Sequence, residues 1–202
     1  MKKKQPYKHT EDLNDLAAKL AKGDAMAIAQ IYEQTYTSLL YFGLQVVGKH
    51  QQPLVEGIIQ DLFIWLAKNY LKVADIQNIE AYLYQSLRRN LQQKLQAAQE
   101  KRKAQKRYLK RTTPNQDATI PSIENGLIQQ EQTTANKELL NDKLSELPTY
   151  LKEVLYLRFY EDRSYKEIAE ILSVNAQVAR NYVFRALTVL RKRMNKLPFL
   201  FF

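Results

Sequence analysis

Residues 147–193 read LPTYLKEVLYLRFYEDRSYKEIAEILSVNAQVARNYVFRALTVLRKR and predict three consecutive helices, of which the last two form a helix-turn-helix. Residues 164–167 have the pattern of a capping box, in which the Ser164 hydroxyl and the Glu167 carboxylate satisfy backbone amides at the start of a short helix. A polar break at residues 173–175 precedes a longer helix, predicted over about residues 176–194. A short helix that braces a longer one, whose N-terminal turns carry polar side chains, is typical of major-groove recognition of DNA.

The longer helix is predicted to have a buried stripe and an exposed DNA-facing side. The buried stripe consists of Ala179, Val183, Ala186 and Leu190, which repeat at helical spacing. The opposite side carries Gln177, Arg180, Asn181, Phe184 and Arg185. Arginine suits guanine and asparagine or glutamine suits adenine, and each such contact is worth about 1–3 kcal/mol of discrimination. The alternative is ordinary helix-surface polarity.

Two further predictions concern the surroundings of this helix. Phe184 either contacts a thymine methyl or a sugar, or packs against the preceding helix. The side chains expected to bind phosphates are Arg158, Tyr165, Lys166 and Arg185, assisted by the helix N-terminus at Tyr165.

The composition favours an all-α protein of two domains. The 202 residues are 45% hydrophobic, with five glycines and six prolines, and no segment alternates with period two. We expect a helical domain over residues 1–111, a flexible linker over 112–136 that is rich in polar residues, and the helix-turn-helix domain over 137–202. In the first domain we expect four helices. The first follows a cap at Thr10, and the second covers about residues 25–47 with Tyr32 pointing into the core. The third covers residues 54–71, and the fourth begins near Ile79.

Several functional classes are disfavoured by what the sequence lacks. There is no cysteine, and His9 and His50 are isolated, so we expect no metal, no catalytic residue, no cofactor and no enzymatic activity. The N-terminus lacks the apolar core of a signal peptide, and no apolar run has the length of a membrane span. We therefore expect a cytoplasmic protein without membrane insertion.

The net charge of +10 is concentrated in one segment. Residues 88–111 contain ten basic side chains and one acidic one, a local excess of +9 (10 − 1) that suits a polyanion such as nucleic acid. Aromatic and basic residues interleave just before and within this segment, a pattern suited to single-stranded DNA. The candidates are Tyr82, Arg88, Arg89, Asn90 and Lys94, with Tyr84 nearby. The alternative is that Tyr82 and Tyr84 simply fill the core, and for at least one of them this is the better interpretation.

The motifs LPxxxxEVxxLRF, SYxEIAxxL and RAL…LRKR resemble those of the extracytoplasmic-function sigma factors of bacterial RNA polymerase. The resemblance covers roughly residues 11–111 and 137–194. It implies that VEGIIQDLFIWL (residues 55–66) docks on the polymerase, with Gln60 and Asp61 in contact, and that AYLYQSLRRNLQQKL (residues 81–95) captures the melted near, or minus-10, promoter element.

Some positions depart from the family's pattern. The usual tryptophan six residues after the Gln-Asp pair is Ala67, with Trp65 nearby, and Tyr182 replaces a more common arginine or glutamine. Asp162 stands where glycine is common, two residues before the SYxEIA helix. The family often has a single Arg-Asn pair where this chain has Arg88-Arg89-Asn90. Either Arg89 or Asn90 therefore stands at the position that the resemblance assigns to the pocket for an extruded base.

The sequence thus predicts an alternative sigma factor that reads the upstream, or minus-35, element as duplex and traps the minus-10 strand. Its expected partners are core RNA polymerase and promoter DNA, and an anti-sigma factor is a further candidate. Two alternatives remain open: a dimeric helix-turn-helix regulator that binds an operator, and a non-specific basic protein that binds nucleic acid through residues 88–111.

Overall fold

A computed structural model describes residues 11–112, 144 and 146–194 of the chain. Every regular element in these ranges is helical, which confirms the all-α prediction. Four segments lie outside the described residues, apart from Thr112 and Leu144. They are the predicted linker (112–136), a helix expected at about 137–145, the basic N-terminus and the apolar LPFLFF tail at residues 197–202.

The N-terminal bundle consists of four α-helices. They are α1 (Leu13–Ala21), α2 (Ala25–Val47), α3 (Gln52–Lys68) and α4 (Ile79–Thr112), with short 3-10 turns at Lys49–Gln51 and Tyr70–Asp75. The third helix begins two residues earlier and ends three residues earlier than predicted. Pro53 is compatible with the early start because a proline in the first helical turn lacks an amide that would be unpaired there in any case.

Two aspartates determine where the first helices begin. The Asp12 carboxylate accepts a hydrogen bond from the Asn14 amide at 2.8 Å, and Asp24 accepts one from the Met26 amide at 2.9 Å. The prediction that Thr10 caps the first helix was therefore wrong. Asp12 provides the cap, and its negative charge also complements the helix dipole.

The bundle core is built around α2. Gly43 allows α2 and α3 to approach closely, since a Cβ atom at this position would overlap a methyl group of Val55. Phe42 is fully buried and packs edge-on against Tyr84 of α4, with ring centroids 5.0 Å apart. The prediction that Tyr32 points into the core was wrong. Its ring lies at the edge of the core, 36% exposed, and packs edge-on against Phe63 of α3.

The C-terminal domain contains α5, α6 and α7. Helix α5 (Thr149–Leu155) continues into a π-helical turn at Tyr156–Tyr160 and is followed by α6 (Tyr165–Leu172) and α7 (Ala176–Met194). The predicted stripe on α7 is buried, from Ala179 and Ala186 at 0% exposure to Leu190 at 9%. The predicted helix-turn-helix is confirmed.

The C-terminal domain packs directly on the N-terminal bundle. Helix α5 contacts α2, and α6 contacts α4, so the buried apolar residues of both parts form one continuous cluster. Tyr156 of the π-helical turn lies with its ring 6.3 Å from that of Phe42. We refer to this contact region between the N-terminal bundle and the C-terminal domain as the seam.

Candidate nucleic-acid interface

A complete capping box orients the short helix of the helix-turn-helix. The Glu167 amide donates to the Ser164 hydroxyl at 3.3 Å, and the Ser164 amide donates to the Glu167 carboxylate at 2.8 Å. These bonds from Ser164, with a further contribution from Arg163, lower the pKa of Glu167. The sequence-based prediction of this box is confirmed, and the box fixes the direction in which α6 leaves its loop.

Two residues with positive φ shape the loops on either side of α6. Asp162 has φ +54° and Ser173 has φ +55°. Aspartate tolerates this left-handed conformation better than most residues, although glycine adopts it without strain. The backbone therefore gives a physical reason why glycine suits the position of Asp162. After the second turn, Asn175 caps α7 by accepting from the Val178 amide at 2.8 Å.

The polar side of α7 is exposed, as predicted. We call this surface the upstream face, and it consists of Gln177, Arg180, Asn181, Phe184 and Arg185. Gln177 donates to the Asn181 side chain at 3.1 Å, so the two amides are aligned before any ligand arrives. Phe184 is 74% exposed, which excludes the alternative that it packs against the preceding helix.

Tyr165 acts as a platform for two arginines beside the upstream face. The guanidinium carbons of Arg158 and Arg180 lie 5.2 and 5.3 Å from the centre of its ring, within the range of cation–π attraction. Arg158 is also held by a 2.8 Å hydrogen bond to the Arg163 carbonyl, whereas Lys166 is exposed. The sequence predicted Tyr165 as a phosphate ligand but not this supporting role, which depends on the crossing of α6 and α7.

The second predicted surface lies on α4, and we call it the strand face. It consists of Tyr82, Arg88, Arg89, Asn90 and Lys94. Arg89 and Lys94 are exposed, while Tyr82 is half-buried with its ring 5.9 Å from that of Trp65. The Asn90 side chain donates to the Ser86 carbonyl of its own helix at 2.9 Å.

Tyr84 belongs to the core rather than to the strand face. It is 1% exposed, and burial raises the pKa of its hydroxyl. This confirms the alternative in which one of the two tyrosines fills the core. The basic half of α4 extends the helix beyond the bundle, and its side chains are exposed from Gln92 to Gln105 except at Leu95.

Arg88 is engaged by the C-terminal domain. Its Nε atom lies 3.1 and 3.0 Å from the two carboxylate oxygens of Glu153, which is fully buried. Burial raises the pKa of Glu153, and the charge of Arg88 opposes that shift. The sequence analysis did not identify the buried pairing of Glu153 with Arg88. The position of Glu153 in the apolar run YLKEVLYL (residues 150–157) could have indicated it, because an acidic side chain on an apolar helix face needs a cationic partner.

Gln60 and Asp61 lie side by side on the surface of α3. Both side chains are exposed, and the Asp61 carboxylate makes no ion pair within the described part of the chain. Ile64 and Trp65, one turn further along α3, are 52% and 37% exposed. The structure thus places polar and apolar side chains together on the helix expected to dock on a partner.

Two other kinds of feature are absent from the part of the chain that the structure describes. In residues 11–112, 144 and 146–194 there is no group of three acidic or histidine side chains arranged to hold a metal ion. No helix in the same ranges combines the length and the apolar character needed to cross a membrane.

Comparison with known proteins identifies the C-terminal part. Residues 137–190 match the protein family described as Sigma-70, region 4. The RNA polymerase sigma factor SigV of Bacillus subtilis (strain 168) is 39% identical over 57 residues, in the C-terminal part of this chain. That alignment covers 28% of the chain and 34% of SigV, so the match spans about a third of the relative.

Proposed function

We propose that this chain, whose C-terminal domain belongs to the sigma-70 region 4 family, is an alternative sigma factor of the extracytoplasmic-function type. Residues 137–202 would read the upstream minus-35 element as duplex, and residues 1–111 would bind core RNA polymerase and capture the melted minus-10 strand. The relative named above is itself a sigma factor of RNA polymerase, which supports the same role for this chain.

The observation that carries this proposal is the upstream face. Five polar or aromatic side chains project from the first turns of a capped helix, and a second helix braces that helix from behind. Arg180 is extended over Tyr165 and Gln177 is paired with Asn181, so both are ordered before binding and lose little conformational freedom on contact. This is the geometry that major-groove recognition requires.

The strand face supports the other proposed DNA-binding role, capture of the melted minus-10 strand, by a different mechanism. Extruded bases lose stacking, and aromatic side chains with nearby cations can compensate for that loss. Tyr82 is half-buried on α4, and the exposed Arg89 and Lys94 follow it about two and three turns later along the same helix. Asp61 and Gln60 on α3 would then contact core polymerase, which supplies the catalysis that this chain does not.

The experiment is transcription with purified core polymerase on a promoter library that has random sequence at the upstream and near positions. The wild-type chain should yield transcripts from templates that share one motif in each element. Arg180→Ala should relax the upstream motif, while Arg191→Ala, a matched change at the far end of the same helix, should leave it unchanged. Transcripts with no shared motif, or none at all, would contradict the proposal.

A further inference from the structure

The last part of α4 projects beyond the N-terminal bundle. Leu91 is fully buried and Leu95 is half-buried, but every side chain from residue 96 to residue 105 is exposed. The helix continues to Thr112, so residues 96–112 form a rod about 25 Å long, which we call the basic extension. Because a helix that is exposed on all sides buries no apolar face, its role lies outside the core.

The basic extension is also clear of the C-terminal domain. The hydrogen bonds of the seam join α4 at Glu80, Gln85 and Arg88. The extension begins about two turns after the last of these residues. Its cations are therefore accessible in the structure as it stands, and no rearrangement is needed to reach them.

The charges of the basic extension repel one another. It contains seven basic residues and one acidic residue, an excess of +6. The ion pair between Lys103 and Glu100, at 3.0 Å, offsets one of these charges. Between Arg102 and Arg111, basic residues repeatedly stand four positions apart, and like charges at this spacing destabilise a helix. A polyanion beside the helix would relieve the repulsion, so the charge pattern favours a nucleic acid as the partner.

The residue types favour duplex DNA over an unpaired strand. Single-stranded DNA is held by aromatic side chains on which successive bases stack. Residues 92–105 contain only glutamine, lysine, arginine, glutamate, alanine and leucine, and the basic extension has a single aromatic residue, Tyr108. The extension therefore offers cations for phosphates but no series of rings for bases.

The cations of the basic extension are suited to the DNA backbone rather than to base edges. On the upstream face, Arg180 is held over the ring of Tyr165. Within the described residues, no side chain orients Lys101 or Arg102 in a comparable way. Long cationic side chains without such support contact phosphates, which position a protein on the duplex without reading its sequence.

The position of the basic extension along the chain indicates which duplex it would contact. It continues in the same helix from the strand face, which ends at Lys94. Next to a melted minus-10 element held by that face, the DNA on the upstream side is still paired. The chain after Thr112 leads to the domain that would read the minus-35 element. A rod of about 25 Å spans about seven base pairs of this paired DNA at 3.4 Å each.

We propose that the basic extension is a further DNA-binding surface, which holds the phosphate backbone of the spacer, the paired DNA between the two promoter elements. This inference rests on the proposed function, because that function supplies the two elements. The contact lies on the part of the spacer next to the near element. It adds affinity and fixes the direction in which the duplex leaves the strand face, without adding a base preference.

The first test maps the contact on promoter DNA in the complex with core polymerase. Because the chain has no cysteine, Gln99→Cys and Gln105→Cys each give one exposed attachment point for an iron chelate that cleaves nearby DNA through hydroxyl radicals. Both should cleave the spacer. Cleavage from residue 105 should lie further upstream than cleavage from residue 99, by up to about three base pairs, since the two positions are about 9 Å apart along the helix. The cysteine-free chain treated with the same chelate is the control.

The outcomes of this mapping separate the inference from the proposed function. Cleavage confined to the melted region, or no cleavage in a complex that transcribes normally, would overturn the proposed spacer contact and leave the sigma-factor role intact. Failure of the cysteine-free chain to form any sequence-specific complex with core polymerase would instead contradict the sigma-factor role itself.

The second test measures the salt dependence of promoter binding by the same complex. Each phosphate contact contributes about 0.9 to the slope of log affinity against log salt concentration, so Lys101→Gln/Arg102→Gln should lower the slope by about 2. Glutamine has a helix propensity close to that of lysine and arginine, so the helix is retained. Lys22→Gln/Lys49→Gln removes two exposed charges elsewhere on the bundle and should leave the slope nearly unchanged.

The affinity lost in Lys101→Gln/Arg102→Gln should be the same on templates whose spacers differ in sequence but not in length. An equal slope in this variant and in the wild-type chain would overturn the proposal. A loss that appears only with particular spacer sequences would overturn it as well, because the extension would then read bases rather than hold the backbone.

Discussion

The two candidate DNA-reading surfaces differ in how much of each is accessible. The upstream face of α7 is exposed over all five of its side chains, and Phe184 is 74% exposed. On the strand face of α4, Arg88 is paired with a fully buried carboxylate from the other part of the chain. Under the proposed function, the face that would read duplex DNA is already accessible in the free chain, whereas one arginine of the face that would hold the unpaired strand is engaged within the chain.

The largest effect is expected from removing two adjacent side chains of the strand face. The double variant Arg89→Ala/Asn90→Ala should abolish most opening of the near element, because it removes the exposed Arg89 cation and the Asn90 amide and leaves only Lys94 and the Glu153-paired Arg88 as cations beside the unpaired bases. Permanganate footprinting of thymines on a closed template measures this opening. A pre-melted bubble should restore much of the activity, since strand separation is then already complete.

The upstream face should respond to mutation in the opposite way. Arg180→Ala should lose about 1–3 kcal/mol of promoter binding at one upstream position and relax the base preference there. A pre-melted bubble should give no rescue, because the lost contact is to duplex DNA. Equal rescue of this variant and of the strand-face double variant would mean that the two helices have been assigned the wrong roles.

A third prediction concerns the polymerase contact on α3. Asp61→Ala should weaken association with core polymerase in a pull-down titration and leave the melting temperature nearly unchanged, because an exposed carboxylate adds little to folding. Asp75→Ala, a change at another exposed aspartate of the bundle, serves as the control. Unaltered association would remove Asp61 from the docking surface.

The capping box gives a prediction about stability and pH. Ser164→Ala should destabilise the C-terminal domain by about 1 kcal/mol at neutral pH, which would disturb the upstream face before the strand face. The folded state lowers the pKa of Glu167, so its contribution is present above its ordinary value of 4.5 and is lost as the pH falls through the lowered value.

The penalty of Ser164→Ala should therefore shrink in acid, as measured by thermal unfolding between neutral pH and pH about 3. Thr188→Ala removes a hydroxyl that bonds only within its own helix, and it should show no such pH dependence. A penalty for Ser164→Ala that is independent of pH would show that the Ser164 hydroxyl does not stabilise the ionised Glu167 carboxylate.

The smallest effect is expected at Asp162, in the loop that precedes the capping box. Asp162→Gly should be neutral or slightly stabilising because glycine adopts φ +54° without strain, whereas Asp162→Val should destabilise by about 1–2 kcal/mol. Thermal unfolding of the two variants measures the difference. Equal stability of both would show that the loop relaxes around this position.

Local patterns allowed much of the C-terminal domain to be predicted. The capping box and the Ala179 stripe depend on residues close in sequence, and both are found as expected. The predicted polar break at residues 173–175 ends in Asn175, which caps the following helix. The role of Tyr165 and the burial of Glu153 were not predicted, because each depends on how two different helices pack against each other. The cap at Asp12 was missed because two adjacent acidic residues follow Thr10 and propensity alone does not choose among them.

Gel-shift titration of promoter DNA with the purified chain, in the presence and in the absence of core polymerase, distinguishes the proposed sigma factor from a free-standing regulator. The chain alone should bind duplex promoter weakly and single-stranded near-element DNA more weakly still. With core polymerase it should form a tight, sequence-specific complex containing one copy of the chain. Tight, sequence-specific binding by a free dimer, unaffected by polymerase, would contradict the account.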